Sequence, residues 1–157
     1  MRLSDYTDYT LRVLMFCATH RERLLTIAEL ADGLQVSKNH LMKVVNDLAR
    51  QGLLETTRGR GGGLRLSKAP QAIRIGDVVR ASETDFRIVE CFDAASDTCT
   101  LTPGCALRGV LNKALQAWLA ALDAVTLADI TDSGLRMGPA LAVPVSGPLP
   151  RRPRAPA

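Results

Sequence analysis

Cys91, Cys99 and Cys105 fall within fifteen residues of one another in the second half of a 157-residue chain. Thiolates are soft, charge-rich ligands suited to zinc or to iron–sulfur clusters. Three thiols with no neighbouring fourth make a poor disulfide framework and a good incomplete metal-ligand set. The remaining cysteine, Cys17, stands apart in the apolar run LRVLMFCA. The gaps between the three, seven residues and then five, are wider than those of zinc ribbons and common ferredoxins. They favour a loop wrapped around a larger object over a rigid knuckle. Spacing alone leaves zinc, a cluster and plain redox thiols open. Histidine is scarce, with only His20 and His40, and Arg108 occupies the turn after Cys105. Any fourth ligand is therefore expected to be an oxygen donor.

A second set of residues has the chemistry to read nucleic acid. Ser37, Lys38, Asn39, His40 and Lys43 crowd the start of the segment KNHLMKVVNDLARQG. Asn can pair bidentately with adenine, and Lys reaches guanine or phosphate. Arg58 and Arg60 alternate with glycines in RGRGGG, where backbone can approach a duplex and Arg can enter a narrow minor groove. Charge is distributed accordingly. Residues 1–75 carry 12 Lys/Arg against 7 Asp/Glu, and residues 76–132 carry 4 against 9. A basic first half joined to an acidic middle suggests a polyanion-binding face on one module.

These residues need elements to position them. Ser4 can cap a first helix running to about His20, with Leu11, Leu14, Met15 and Ala18 on one face. Thr26 and Glu29 form a capping-box pair that opens a second helix, and Gly33 is expected to end it. Ser37 opens a third, with Leu41, Val44, Val45 and Leu48 inward and Gly52 as its stop. LLETT and LRLS around RGRGGG read as a β-hairpin. Three helices and a hairpin make a winged helix-turn-helix. A short helix, IGDVVRASE, precedes the cysteine loop. From Ala106 to about Leu127 a helical stripe through Leu107, Leu111, Ala114, Trp118, Ala121 and Val125 is too apolar for one small domain to cover, and is read as a dimerisation helix. The tail from 133 holds six of the eight prolines and reads as disordered.

The expected fold is thus mainly α with a small β-wing: a winged helix-turn-helix plus a long dimerisation helix. Residues 1–75 form the DNA-binding domain, 76–132 the cluster-binding loop and dimerisation helix, and 133–157 the tail. No apolar run approaches the roughly 20 residues that cross a membrane, and MRLSDYTDYT has no signal-like segment. A cytoplasmic protein is expected, where thiols stay reduced. An enzyme is not: there is no Cys-x-x-Cys, no Ser/His/Asp grouping, and RGRGGG lacks the Lys-Ser/Thr ending of a phosphate loop. The rival from another class is a zinc or thiol redox protein that does not bind DNA.

RLSDYTDYTLRVLM, VSKNHLMKVVNDL, ETTRGRGGGLRLSKAP, IRIGDVVR, the VECF…C…LTPGC segment and TLADI occur together and in order. With them, residues 1–132 resemble the iron–sulfur winged-helix repressors, most of all the nitric-oxide-sensing members. The resemblance implies a homodimer on an inverted-repeat operator in double-stranded DNA. It implies an iron–sulfur cluster, 4Fe–4S over 2Fe–2S, held by Cys91, Cys99 and Cys105. Asp8, in the motif SDYTDY, would complete the ligand set from the other subunit. Read from the residues alone, Asp8 is a carboxylate complementing a helix N-terminus. Relatives that regulate cluster assembly use a histidine where this chain has Arg108, which favours nitric oxide as signal. A repressor sensing iron or cluster status is the alternative within the family.

Overall fold

The structure, a computed structural model, describes residues 2–132; the expected disordered tail lies outside them. Helix α1 (Asp5–Thr19) starts where the Ser4 hydroxyl accepts the Thr7 amide, and Asp5 and Asp8 complement its positive end. Helix α2 (Ile27–Leu34) opens on the expected capping box. The Glu29 amide donates to the Thr26 hydroxyl at 3.2 Å, and the Thr26 amide donates to the Glu29 carboxylate at 2.8 Å. Its end differs from expectation. Gly33 lies inside α2, where a Cβ would come within 2.5 Å of the Phe16 ring. Gly33 thus serves close helix–helix approach, and Gln35 makes the left-handed turn at φ 54°.

Helix α3 (Lys38–Arg50) runs from its Ser37 cap and buries Leu41, Val44, Val45 and Leu48, the stripe read from the sequence. Strands β1 (Leu54–Thr57) and β2 (Gly63–Leu66) pair antiparallel, with Leu54 opposite Leu66 and Thr57 opposite Gly63. Between them, Gly59 and Gly61 take φ of 99° and 81°, a backbone that L-residues resist. Leu25 and Leu64 exchange both amide–carbonyl bonds, at 2.9 and 2.8 Å, which ties the hairpin to the start of α2. The chain is therefore a mainly helical winged helix-turn-helix with a two-stranded wing.

Helix α4 (Ile75–Ser82) leads to the cysteine loop, and α5 (Ala106–Asp123) follows it. The sequence predicts a helix to about Leu127, but α5 ends at Asp123. Thr126 and Asp129 form a second capping box that starts α6 (Leu127–Thr131). The break lets 125–127 pair with 73–75: Ile75 donates to the Val125 carbonyl at 3.0 Å and Leu127 to that of Ile73 at 2.8 Å. Leu127 is wholly buried in the same core as Val13, Leu14, Leu30 and Leu41. Arg80 of α4 meets the Asp123 carboxylate with both terminal nitrogens. Gly76 permits that approach, since a Cβ there would stand 1.9 Å from an Asp123 oxygen.

Only Leu115 and Leu119 of α5 are buried, with Trp118 and Leu122 packed beside them on the core. Its N-terminal half packs little against the rest of the chain: Leu107 and Val110 are each 61% exposed. Among the described residues no helix is long and apolar enough to cross a membrane.

Candidate cluster site and nucleic-acid interface

Ser37, Lys38, Asn39, His40 and Lys43 are all exposed along α3, but they do not share one direction. His40 stacks on Tyr9 of α1, with ring centroids 6.0 Å apart, and Lys43 lies 5.6 Å above the Tyr6 ring. Those two side chains lean toward α1. On the wing side a cleft of about 350 Å³ runs between α3 and the hairpin, lined by Thr26, Met42, Asn46, Thr57 and Arg58 among others. Met42 and Asn46 were not singled out from the sequence. The signal was present: they lie three and seven residues beyond Asn39, the spacing of one helical face. Arg58 lines the cleft, whereas Arg60 sits exposed at the wing tip between the two positive-φ glycines.

The three clustered cysteines are free thiols on the segment joining α4 to α5. Cys91 is buried in a 3-10 turn, Glu90–Phe92. Cys99 and Cys105 are half-buried and bracket a second one, Thr102–Gly104, with Cys105 as the residue before α5. Carboxylates shape this loop. Asp93 accepts from the Ala95 amide, the Ser96 hydroxyl and Arg87, which hold its carboxyl below the usual carboxylate range. Asp97 accepts the Cys99 amide at 3.0 Å and the Thr102 hydroxyl at 3.2 Å on the same oxygen. Beside Cys105 opens a cavity of about 450 Å³ lined by Phe92, Thr102, Arg108, Gly109 and Asn112 among others.

Asp8 is exposed on α1 and pairs with Arg12 one turn on. Among the described residues, no three His, Cys, Asp or Glu side chains lie together so as to hold one metal ion. The donor chemistry fits an iron–sulfur group, with three unpaired thiols on one loop and room beside Cys105. Among the described residues of the single chain the donors do not converge. Cys17 differs in kind: desolvation in the core pushes its thiol up to about 12, which keeps it protonated and unreactive.

The family model Rrf2, described as "Iron-dependent Transcriptional regulator", matches residues 3–133. The chain is 53% identical over 131 residues to the HTH-type transcriptional regulator NsrR of Bacillus licheniformis, covering 83% of this chain and 92% of that one. It is equally similar to the regulator of the same name from Bacillus subtilis, at 53% over 83% and 90% of the two chains. Among solved structures, T. potens IscR superposes with a TM-score of 0.68 at 22% identity, over 85% of this chain and 88% of that one. CymR, the global cysteine regulator of B. subtilis, does so with 0.68 at 24%, over 85% and 98%.

Proposed function

The chain belongs to the Rrf2 family of transcriptional regulators, and from that premise we propose that it represses transcription by binding an inverted-repeat operator as a homodimer and lets go when nitric oxide damages an iron–sulfur cluster. Membership in a family of transcriptional regulators sets aside the DNA-independent thiol protein and gives no support to an enzyme. The observation that carries the proposal is the set of three free thiols, Cys91, Cys99 and Cys105, on a loop hung between the winged helix and an under-packed α5.

In this reading residues 1–75 contact DNA. Residues 76–132 hold the cofactor and pair the subunits through the exposed Leu107 and Val110 face of α5. Apolar surface of this kind is stabilised by burial against a second copy. Cys91, Cys99 and Cys105 would hold a 4Fe–4S cluster as thiolates, and Asp8 from the second copy would supply an oxygen donor. When bound, the cluster would supply iron open to nitric oxide. Asp8 is the weakest of the four donors, because carboxylate oxygen is a harder ligand than thiolate. While Asp8 is engaged, it fixes α1 of one subunit to the loop of the other. Once released, α1 is restrained only by its own protomer.

On the DNA side, Asn39, Met42 and Asn46 present one face of α3 to the major groove, Ser37 and Lys38 lie at its leading end, and His40 and Lys43 flank it. Arg58 and Arg60 reach the minor groove from the wing. Arg108, in place of a histidine beside Cys105, leaves the oxygen donor as the fourth ligand and favours nitric oxide over cluster status as the signal. The deciding experiment is anaerobic purification, analysis of iron and acid-labile sulfide, and operator footprinting before and after nitric oxide. Iron and sulfide in the protein with operator release on nitric oxide support the reading. Zinc without sulfide ends it.

A further inference from the structure

Helix α1 has a second engagement, on the side away from Asp8. The Tyr6 hydroxyl donates to the Asp47 carboxylate of the recognition helix α3 at 2.6 Å. Arg50 pairs with the same carboxylate, and Lys43 lies over the Tyr6 ring. Asp47 is the one acid on α3, set in an otherwise basic helix. Its bond to Tyr6 joins two helices through residues forty-one apart in the chain. Tyr6 and Asp8, two residues apart, project from roughly opposite sides of α1. One short stretch of helix therefore carries both the proposed iron ligand and a charge-assisted bond to the DNA reader, the stronger class of hydrogen bond.

We propose that Tyr6 and Asp47 are the positioning pair that transmits the state of the cysteine-loop site to the recognition helix. This rests on the cluster reading above. While α1 is fixed through Asp8, the Tyr6 hydroxyl holds Asp47, and α3 keeps one orientation relative to the wing. When α1 is released, the pair carries its displacement into α3. Tyr6 touches neither the cofactor nor the bases in this scheme. It acts through Asp47 alone.

The test compares operator dissociation constants of cluster-loaded and nitric-oxide-treated protein for wild type, Tyr6→Phe, Asp47→Ala and Asp47→Asn. Tyr6→Phe keeps the ring beneath Lys43 and removes only the bond. It should lower the ratio of treated to loaded constants by about 5-fold or more, within the range of ordinary coupling energies. The rate of nitric oxide reaction should stay at the wild-type value. Asp47→Ala should match it, and the double variant should add nothing further, as for two halves of one contact. Asp47→Asn, which still accepts from the tyrosine, should retain most of the ratio. In the metal-free protein, Tyr6→Phe should speed amide exchange in α3 and leave α5 unchanged. Equal loss of both affinities with the ratio intact, or unchanged exchange in α3, overturns the pair as a transmitter. A wild-type protein whose operator affinity ignores nitric oxide overturns the signalling reading itself.

Discussion

Asp8 is met by Arg12 one helical turn along α1 at 3.4 Å, and the other terminal nitrogen of Arg12 donates to the Leu34 carbonyl at 2.6 Å. Within the protomer, the proposed iron ligand is thus linked through one guanidinium to the end of α2, just before the turn into α3. Asp8→Ala should still assemble a cluster on three cysteines, with an altered nitric oxide rate and poorer operator release. Reaction rate and release are measured on the same sample. Wild-type values for both would remove Asp8 from the site and leave it as a helix-end carboxylate worth about 0.3–1 kcal/mol.

Replacement of Cys91, Cys99 or Cys105 by Ala should each abolish bound iron and acid-labile sulfide in anaerobic protein. Cys17→Ala should leave both at wild-type levels. Because Cys17 is a buried core residue, its truncation should cost about 1 kcal/mol of unfolding free energy. Metal analysis and urea denaturation separate the two kinds of cysteine. Retention of iron by all three loop variants would disprove the ligand assignment.

Operator affinity should fall steeply with salt, as Lys and Arg displace phosphate counterions. Arg60→Ala should weaken all sequences alike. Asn39→Ala should relax discrimination at particular base pairs, by about 1–3 kcal/mol for a lost bidentate contact. Asn46→Ala should do the same at a neighbouring step, since Asn46 lines the cleft between α3 and the wing. Binding-site selection with each variant reads this out, and an unchanged Asn46→Ala profile would confine base reading to the start of the helix.

Burial, and then the hydrogen bond to Asp47, raise the Tyr6 hydroxyl from 10.0 to about 12. The neutral phenol is favoured in the folded state, so its contribution to stability is complete below pH 10 and is lost as pH rises through about 12. Tyr6 and Tyr9 are the only tyrosines. The ultraviolet absorbance of tyrosinate should show a late-titrating step that disappears in Tyr6→Phe and moves earlier in Asp47→Ala. A late step that survives Tyr6→Phe would place the shift elsewhere.

Gly76→Ala should destabilise the protein by about 1–3 kcal/mol, as overpacking of a close helix contact does. The added methyl would meet the Asp123 carboxylate that Arg80 holds. Thermal unfolding checks this. A melting temperature equal to wild type would mean that Asp123 yields freely and that the α4–α5 contact is loose.

The sequence by itself determined where most helices start and which faces they bury. Ser4, Thr26 and Ser37 mark helix starts because a hydroxyl must satisfy free amides at the first turn, and all three do so. The stripe Leu41, Val44, Val45 and Leu48 is buried because only one face of α3 can meet the core. The spacing of Cys91, Cys99 and Cys105 read as a loop, and the three thiols do lie on the segment joining α4 to α5. Tertiary structure decided what depends on neighbours far along the chain. Gly33 became a packing glycine because Phe16 lies against it. The long helix stopped at Asp123 because pairing of 125–127 with 73–75, together with the Thr126 cap, offered its backbone other partners. His40 and Lys43 turned toward α1, and Tyr6 found Asp47, through contacts that no local pattern encodes. A capping residue or a buried stripe is fixed within a few residues of chain. A contact between α1 and α3 exists only once the core has brought the two helices together.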